Sequence, residues 1–379
     1  MYFNWRRFLA DSFWSLFPVG KPHLRIDGHR ARALAMFFLC MAWLVGSGRF
    51  GLAVDRVLFP WFRRTRIRKP VFIVGNFRSG STLLHRLLAG SPGFTAMKTW
   101  HIYFAPSIAQ RRFWQGLWII DGWLGGHLRR AILRAQDRRL ATLPMHKVRL
   151  EEPEEDEGLF LYLWDSLFNW FFVPRDAASN PYWRFDEKIP AWRRRKAMEF
   201  YREVMRRHLA LARTDSIYIS KSPAFTARLE SLIQTFPDAR VVELVRHPFD
   251  SVVSTAGWLS FAWHFFASPT ERFPFLDTIL EMTREWYLRP ANLAPALSAD
   301  QYALIHYEDL VSRPTDVVPA LLDRLGVPVS TRLRSELQRL EERPRTYRTH
   351  DHTLGELGIP EAEAVEFYRE VMRRFGYEA

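Results

Sequence analysis

Along this chain, short runs dense in β-branched residues alternate with stretches of helical spacing. VFIVG at 71–75, IYIS at 217–220, RVVELV at 240–245 and YALI at 302–305 are each followed within a few residues by an amphipathic segment. Such runs suit strands covered on both faces, and the amphipathic segments suit the covering helices. From 216 to 258 the order is strand, turn, helix, strand, turn, helix, a βαβα run that requires parallel strands. The expected fold class is α/β, a mostly parallel central sheet flanked by helices over residues 70–379, with an apolar helical extension over 1–69.

The extension raises a membrane question. Residues 33–48, ALAMFFLCMAWLVGSG, carry no charge between Arg32 and Arg49, but sixteen residues fall short of the roughly 20 that span a bilayer. No small-residue cleavage site follows, which argues against a signal peptide. Upstream, Trp and Phe stand beside Arg; downstream Arg63, Arg64, Arg66, Arg68 and Lys69 would face anionic head groups. Spanning, interfacial and buried-hairpin arrangements all fit the pattern. A second aromatic stretch, Phe113 to Leu124, fits either a lipid- or acceptor-facing surface or a core helix.

Charge narrows the partners. Lys plus Arg exceed Asp plus Glu by 54 − 41 = 13, which favours polyanions: a multiply phosphorylated nucleotide, nucleic acid or an anionic membrane surface. The single cysteine, Cys40, excludes an internal disulfide and any Cys-cluster metal site, and fits a reducing, cytoplasmic setting.

The first strand leads into Asn76-Phe77-Arg78-Ser79-Gly80-Ser81-Thr82 and then LLHRLLAG. Strand, glycine-containing loop and helix form a phosphate cradle: backbone N–H groups and the helix N-terminus attract an anion, and Ser81 and Thr82 add hydroxyls. The Gly75 to Gly80 spacing matches the Walker loop, yet Ser occupies position 81 where that loop carries Lys, and RVVELV is followed by Arg246 rather than an Asp. Both elements that serve Mg²⁺ and a γ-phosphate are missing, so a nucleotide kinase is the weaker expectation. After the strand 240–245, Pro248 suits a first helical turn, and Ser254 lies eight residues beyond Arg246, about two turns into that helix. The two side chains can converge on one anion at the strand's carboxyl end.

At these residues the chain resembles the sulfotransferase family. IVGNFRSGSTLLHRLLAGSP is similar to its 5′-phosphosulfate loop, in the Arg-Ser-Gly-Ser/Thr-Thr form of bacterial members and tyrosylprotein sulfotransferases. The resemblance implies a P-loop-like fold and 3′-phosphoadenosine-5′-phosphosulfate (PAPS) as donor co-substrate. It further implies that Arg78 meets the phosphosulfate and that Ser79, Gly80, Ser81 and Thr82 hold the 5′-phosphate. Arg246 and Ser254 resemble the 3′-phosphate element, and Lys221-Ser222-Pro223 resembles a Lys-Asp-Pro or Lys-Asn-Pro whose ammonium reaches the transferring group. No metal and no nucleic-acid partner are expected.

Sulfuryl transfer also calls for a base on the acceptor side. The candidates are Glu155, within the acidic run Glu151, Glu152, Glu154, Glu155, Asp156 and Glu157, then His146 and His101. The acidic run leads directly into GLFLYLWDSLFNWFF, a base beside an apolar acceptor pocket, whereas clustered carboxylates otherwise mark a solvated face. YALIHYEDL at 302–310 and the Pro314 helix resemble the family's late strand and helix, with Tyr307 either near the nucleotide or packing. The C-terminal Arg-Lys-Gly element of cytosolic members is absent; Arg343, Arg345, Arg348 and His350-Asp351-His352 stand there instead, and two histidines make no metal site. The resulting expectation is a sulfotransferase acting on a hydroxyl or amine of a small-molecule or lipid acceptor, peripheral to or anchored at a membrane. The alternative is a membrane-surface nucleotide-binding module without catalysis.

Overall fold

A computed structural model describes residues 2–17, 27–139, 149–173, 180–213, 215–266, 268, 271–342 and 353–377. Five strands, β1 (Val71–Gly75), β2 (Phe94–Thr95), β3 (Ile217–Lys221), β4 (Arg240–Val245) and β5 (Tyr302–His306), form one sheet in the order β2-β3-β1-β4-β5. Every pairing is parallel, and β1 sits centrally, with Ile73 opposite Lys221 on one side and Val242 on the other. The sequence-predicted α/β architecture is what forms. The main helices are α1 (Trp5–Leu16), α2 (Gly28–Leu58), α3 (Ser81–Ala89), α4 (Ile108–Trp123), α5 (His127–Arg139), α6 (Ala191–Leu211), α7 (Pro248–Phe266), α8 (Leu276–Leu293) and α9 (Glu361–Phe375).

Alternation along the strands builds two cores. Phe72 and Val74 point into one cluster with α6 to α9, while Val71 and Ile73 point into the other with Leu84 and Leu88 of α3. Burying five consecutive apolar residues of β1 on both faces removes several kcal/mol worth of surface from water, at about 25 cal/mol per Å². The connection from β1 leads toward β3 and that from β4 leads toward β5. Their carboxyl ends therefore flank the crevice where open α/β sheets bind ligands.

Helix α2 runs well past the uncharged stretch in both directions. Phe37, Met41, Leu44 and Leu52 join the main core, and Gly48 admits the ring of Tyr162 so closely that a Cβ there would lie 2.1 Å from it. Buried Asp55 accepts from the amides of Ile108 and Ala109, both at 2.8 Å, and from Arg207 Nε at 2.9 Å, which locks α2 to α4 and α6. Antiparallel to α2 lies α1: Arg30 reaches the carbonyl of Ser15, Phe38 meets Phe8, and Arg49 reaches the carbonyl of Tyr2.

Candidate active site

The loop after β1 is held before any ligand arrives. Thr226 Oγ1 accepts from Gly75 N at 2.9 Å and donates to Gly75 O at 3.0 Å; Asn76 Nδ2 donates to the carbonyl of Thr283 at 3.0 Å, and buried Ser79 donates to Asn76 O at 2.9 Å. Arg78 takes φ 64° and Gly80 φ 83°, a tight reversal that delivers the chain into α3. Helix α3 starts at Ser81, so the amides of Ser81 and Thr82 lie in its first turn, which has no intrahelical acceptors and carries the positive end of the dipole. A Cβ on Gly80 would stand 2.3 Å from Cδ2 of Tyr307, so the missing side chain lets that ring lie against the loop.

Three cations gather along the carboxyl edge of three neighbouring strands: Lys221 closes β3, Arg78 follows β1 and Arg246 follows β4. Arg78 Nε donates to Ser254 Oγ at 3.0 Å, and Arg246 Nη1 lies 3.4 Å from the carbonyl of Arg78. The two regions predicted to hold separate phosphates therefore touch. Arg246 is fixed by Asp250 Oδ2 at 2.7 Å and by the Tyr307 ring, whose centroid lies 4.9 Å from the guanidinium carbon. Tyr287 donates to the carbonyl of Arg246 at 2.6 Å. Burial, and then the neighbouring charge of Arg246, hold the Arg78 guanidinium below its usual range. At this edge Arg246 is buried and Arg78 half-buried.

Lys221, 2 % exposed, donates from Nζ to Glu155 Oε1 at 2.6 Å. Only part of the acidic run around Glu155 is solvated: Glu151 is exposed, whereas Asp156 and Glu157 are buried. Glu151 pairs with Lys98 at 2.8 Å and Glu152 with Arg86 at 2.5 Å. Fully buried Asp156 accepts from Tyr201 and Tyr218 at 2.5 and 2.7 Å, and Glu157 from Arg228, Ser166 and the amide of Leu167 at 2.8, 2.9 and 2.7 Å. Burial pushes the Asp156 carboxyl up to about 6, against the lowering effect of its two tyrosine donors. The pins on either side of residue 155 thus leave its carboxylate turned toward Lys221 and the sheet edge.

Of the other base candidates, His146 lies outside the described residues. His101 enters a different network: its Nδ1 accepts from the amide of Lys98 at 3.1 Å, and its ring packs 5.5 Å from His208, which Arg111 and Thr95 hold at 2.9 and 2.8 Å. Burial, then Arg111, drives the His101 proton affinity far down, so it is a poorer base than an ordinary imidazole. The cluster at 343–352 also lies outside the described residues.

Sequence reasoning missed Asp250, Thr226, Tyr201, Tyr218 and Arg228. Asp250, four residues after Arg246 in the first turn of α7, was a readable signal; the other partners come from segments with no local mark. His85, one turn into α3, was also missed. It is fully buried, and burial followed by the charge of Lys221 lowers its proton affinity to about 3.

The sequence profile of the Sulfotransferase family matches residues 70–331. The omega-hydroxy-beta-dihydromenaquinone-9 sulfotransferase of Mycobacterium bovis is 22% identical over 324 residues, 82% of this chain and 75% of that protein. Among solved structures, a sulfotransferase from Mycobacterium avium aligns over 100% of this chain and 98% of its own, with TM-score 0.74 at 15% identity. One from Mycobacterium tuberculosis aligns over 97% and 92%, with TM-score 0.70 at 19% identity.

Proposed function

This chain belongs to the sulfotransferase family, transferring a sulfuryl group from PAPS to an acceptor hydroxyl or amine, and from that premise we propose roles for the residues of the sheet edge. The loop amides and hydroxyls of Ser79, Gly80, Ser81 and Thr82 hold the 5′-phosphate, while Arg246 and Ser254 hold the 3′-phosphate. Arg78 and Lys221 neutralise the charge that develops on the leaving phosphate. Glu155 takes the acceptor proton. The acceptor oxygen forms the new S–O bond as the bridging S–O bond breaks, and its electron pair leaves on the 5′-phosphate of adenosine 3′,5′-bisphosphate. No metal is required in this scheme.

The observation that carries the scheme is the 2.6 Å contact between Lys221 and Glu155. It supports a pair in which the ammonium turns to the transferring group when donor binds, releasing the carboxylate to accept a proton. Base and cation then stand on opposite sides of the reacting sulfur, as an in-line displacement needs.

The acceptor we propose is an apolar, lipid-like molecule ending in a hydroxyl. Two features support this. The chain following Glu155, Leu159 to Trp164, is apolar and buried, and the Mycobacterium bovis relative is named for a hydroxylated menaquinone. Residues 70–379 act as the catalytic domain, with 1–69 an extension fastened to it, in a cytoplasmic protein peripheral to the membrane. Labelled PAPS offered to long-chain or isoprenoid alcohols and to water-soluble polyols tests the acceptor class. Label should pass to the apolar alcohols; equal or faster labelling of polyols would overturn the assignment.

A further inference from the structure

Helix α2 is apolar on two opposite sides. One side enters the core; the other leaves Met36, Leu39, Trp43, Phe50 and Val57 exposed at spacings of three, four and seven. Alongside it, α1 exposes Trp5, Leu9, Phe13 and Leu16 while its inner residues Asp11 and Ser15 are buried. A third element packs on α2 through the start of α4, where the amides of Ile108 and Ala109 donate to Asp55 and Gln110 reaches the carbonyl of Ser47. Helices α4 and α5 form a hairpin through Gly125 and Gly126, and its tip bears Ile119, Ile120, Trp123 (82 % exposed) and Leu124. The aromatic stretch of α4 is therefore surface rather than core.

Exposed cations border this apolar panel. Arg56 lies in the last turn of α2, Arg63, Arg64 and Arg66 follow its end, and Arg130 and Arg134 lie on α5 after the hairpin tip. An apolar stripe rimmed by arginines complements a bilayer with anionic head groups, in which aromatic side chains seat at the boundary.

We propose that α1, α2 and the α4–α5 tip form one interfacial face that docks flat on an anionic lipid bilayer, with α2 lying in the membrane plane and not crossing it. Length and hydropathy alone would let the 31 residues of α2 span. Packing forbids it: spanning would pull Phe37, Met41 and Leu44 from the core and break the buried Asp55–Arg207 pair, in which both side chains are 1 % exposed or less. The proposal rests on the membrane location and apolar acceptor inferred above, and adds the face, its orientation and its lipid preference.

Cys40, the single cysteine, is exposed on α2 beside Leu39 and reports depth directly. A nitroxide on Cys40 of the full chain, mixed with phosphatidylcholine vesicles with and without phosphatidylglycerol, should lie about 5–10 Å below the head groups of the anionic vesicles. Partitioning should fall several-fold as salt rises from about 0.1 to about 0.5 M. A label near the bilayer centre, about 15 Å deep, would mean a spanning helix and overturn the proposal. So would a label that stays in water with both vesicles, or one already covered by a second copy without lipid. The combined substitutions Trp43→Ser, Phe50→Ser and Trp123→Ser should cut partitioning roughly tenfold or more. Adenosine 3′,5′-bisphosphate binding in the same samples should stay unchanged. Lipid binding by a protein that takes no bisphosphate would sink the catalytic reading and leave the docking face standing.

Discussion

Arg78 Nε and Ser254 Oγ meet at 3.0 Å although 176 positions separate them in the chain. The contact joins the loop after β1 to the helix after β4, so the pockets read for the two phosphates of the donor are one continuous cationic surface.

Arg246→Ala should weaken adenosine 3′,5′-bisphosphate binding by about 1.5–3 kcal/mol, the usual worth of a charged hydrogen bond. Calorimetric titration checks it. Affinity for adenosine 5′-phosphate, which lacks the 3′ group, should change much less, and an equal loss for both ligands would remove Arg246 from the 3′-phosphate role.

Glu155→Gln should lower kcat by about 10²–10⁴ and leave donor affinity nearly unchanged, because a base acts on the acceptor proton alone. Steady-state rates with saturating donor decide this. Lys221→Ala should also reduce turnover more than donor binding; a variant of either residue that keeps full turnover would end its proposed part in the chemistry.

Glu243, in the middle of β4, carries a buried carboxyl that burial raises to about 8, against the hydrogen bond from Tyr302. Between pH 4.5, the ordinary value, and about 8 the folded protein keeps a proton that the unfolded chain has lost, so this group erodes stability as pH rises through that window. Glu243→Gln should remove the penalty, raising stability near pH 8 by on the order of a few kcal/mol with little change near pH 5. Thermal unfolding across pH is the measurement, and parallel wild-type and variant curves would contradict it.

Arg228 and Glu157 form a pair in which both side chains are 0 % exposed. Arg228→Met alone should destabilise by about 3–5 kcal/mol by stranding a buried carboxylate, and adding Glu157→Gln should restore part of that loss. Urea unfolding of both single variants and the double variant gives the coupling; simple additivity would show the pair to be unimportant.

Gly80→Ala should damage the phosphate loop twice over, through a φ of 83° and through a Cβ placed 2.3 Å from the Tyr307 ring. Donor affinity should fall at least roughly tenfold, the order expected when loop amides lose their alignment. Retained affinity in a titration would mean that the loop tolerates the shift.

What could be read from the chain alone was whatever its neighbours in sequence dictate. The β-branched runs predicted β1, β3 and β4, because a strand buried on both faces needs an apolar side chain at nearly every position, and β5, whose apolar run forms an edge strand with Leu304 exposed. The strand, glycine loop and helix start from Val71 to Ala89 were legible because consecutive residues specify them, and so was the placement of Arg246 just past β4 with Ser254 on the helix that follows, because both lie on one local strand-to-helix stretch. Folding decided everything that depends on a distant partner. The acidic run has a solvated pattern, yet Tyr201, Tyr218 and Arg228 draw Asp156 and Glu157 inside and leave Glu155 facing Lys221, 66 positions away. His101 carries the chemistry of a base but accepts from the amide of Lys98 and packs against buried His208 instead. The uncharged stretch of α2 is equally apolar on both sides, and only its packing against Tyr162, α4 and α6 determines which side meets the core. Periodicity reports that a helix has apolar faces, while the identity of what covers each face is a property of the assembled molecule.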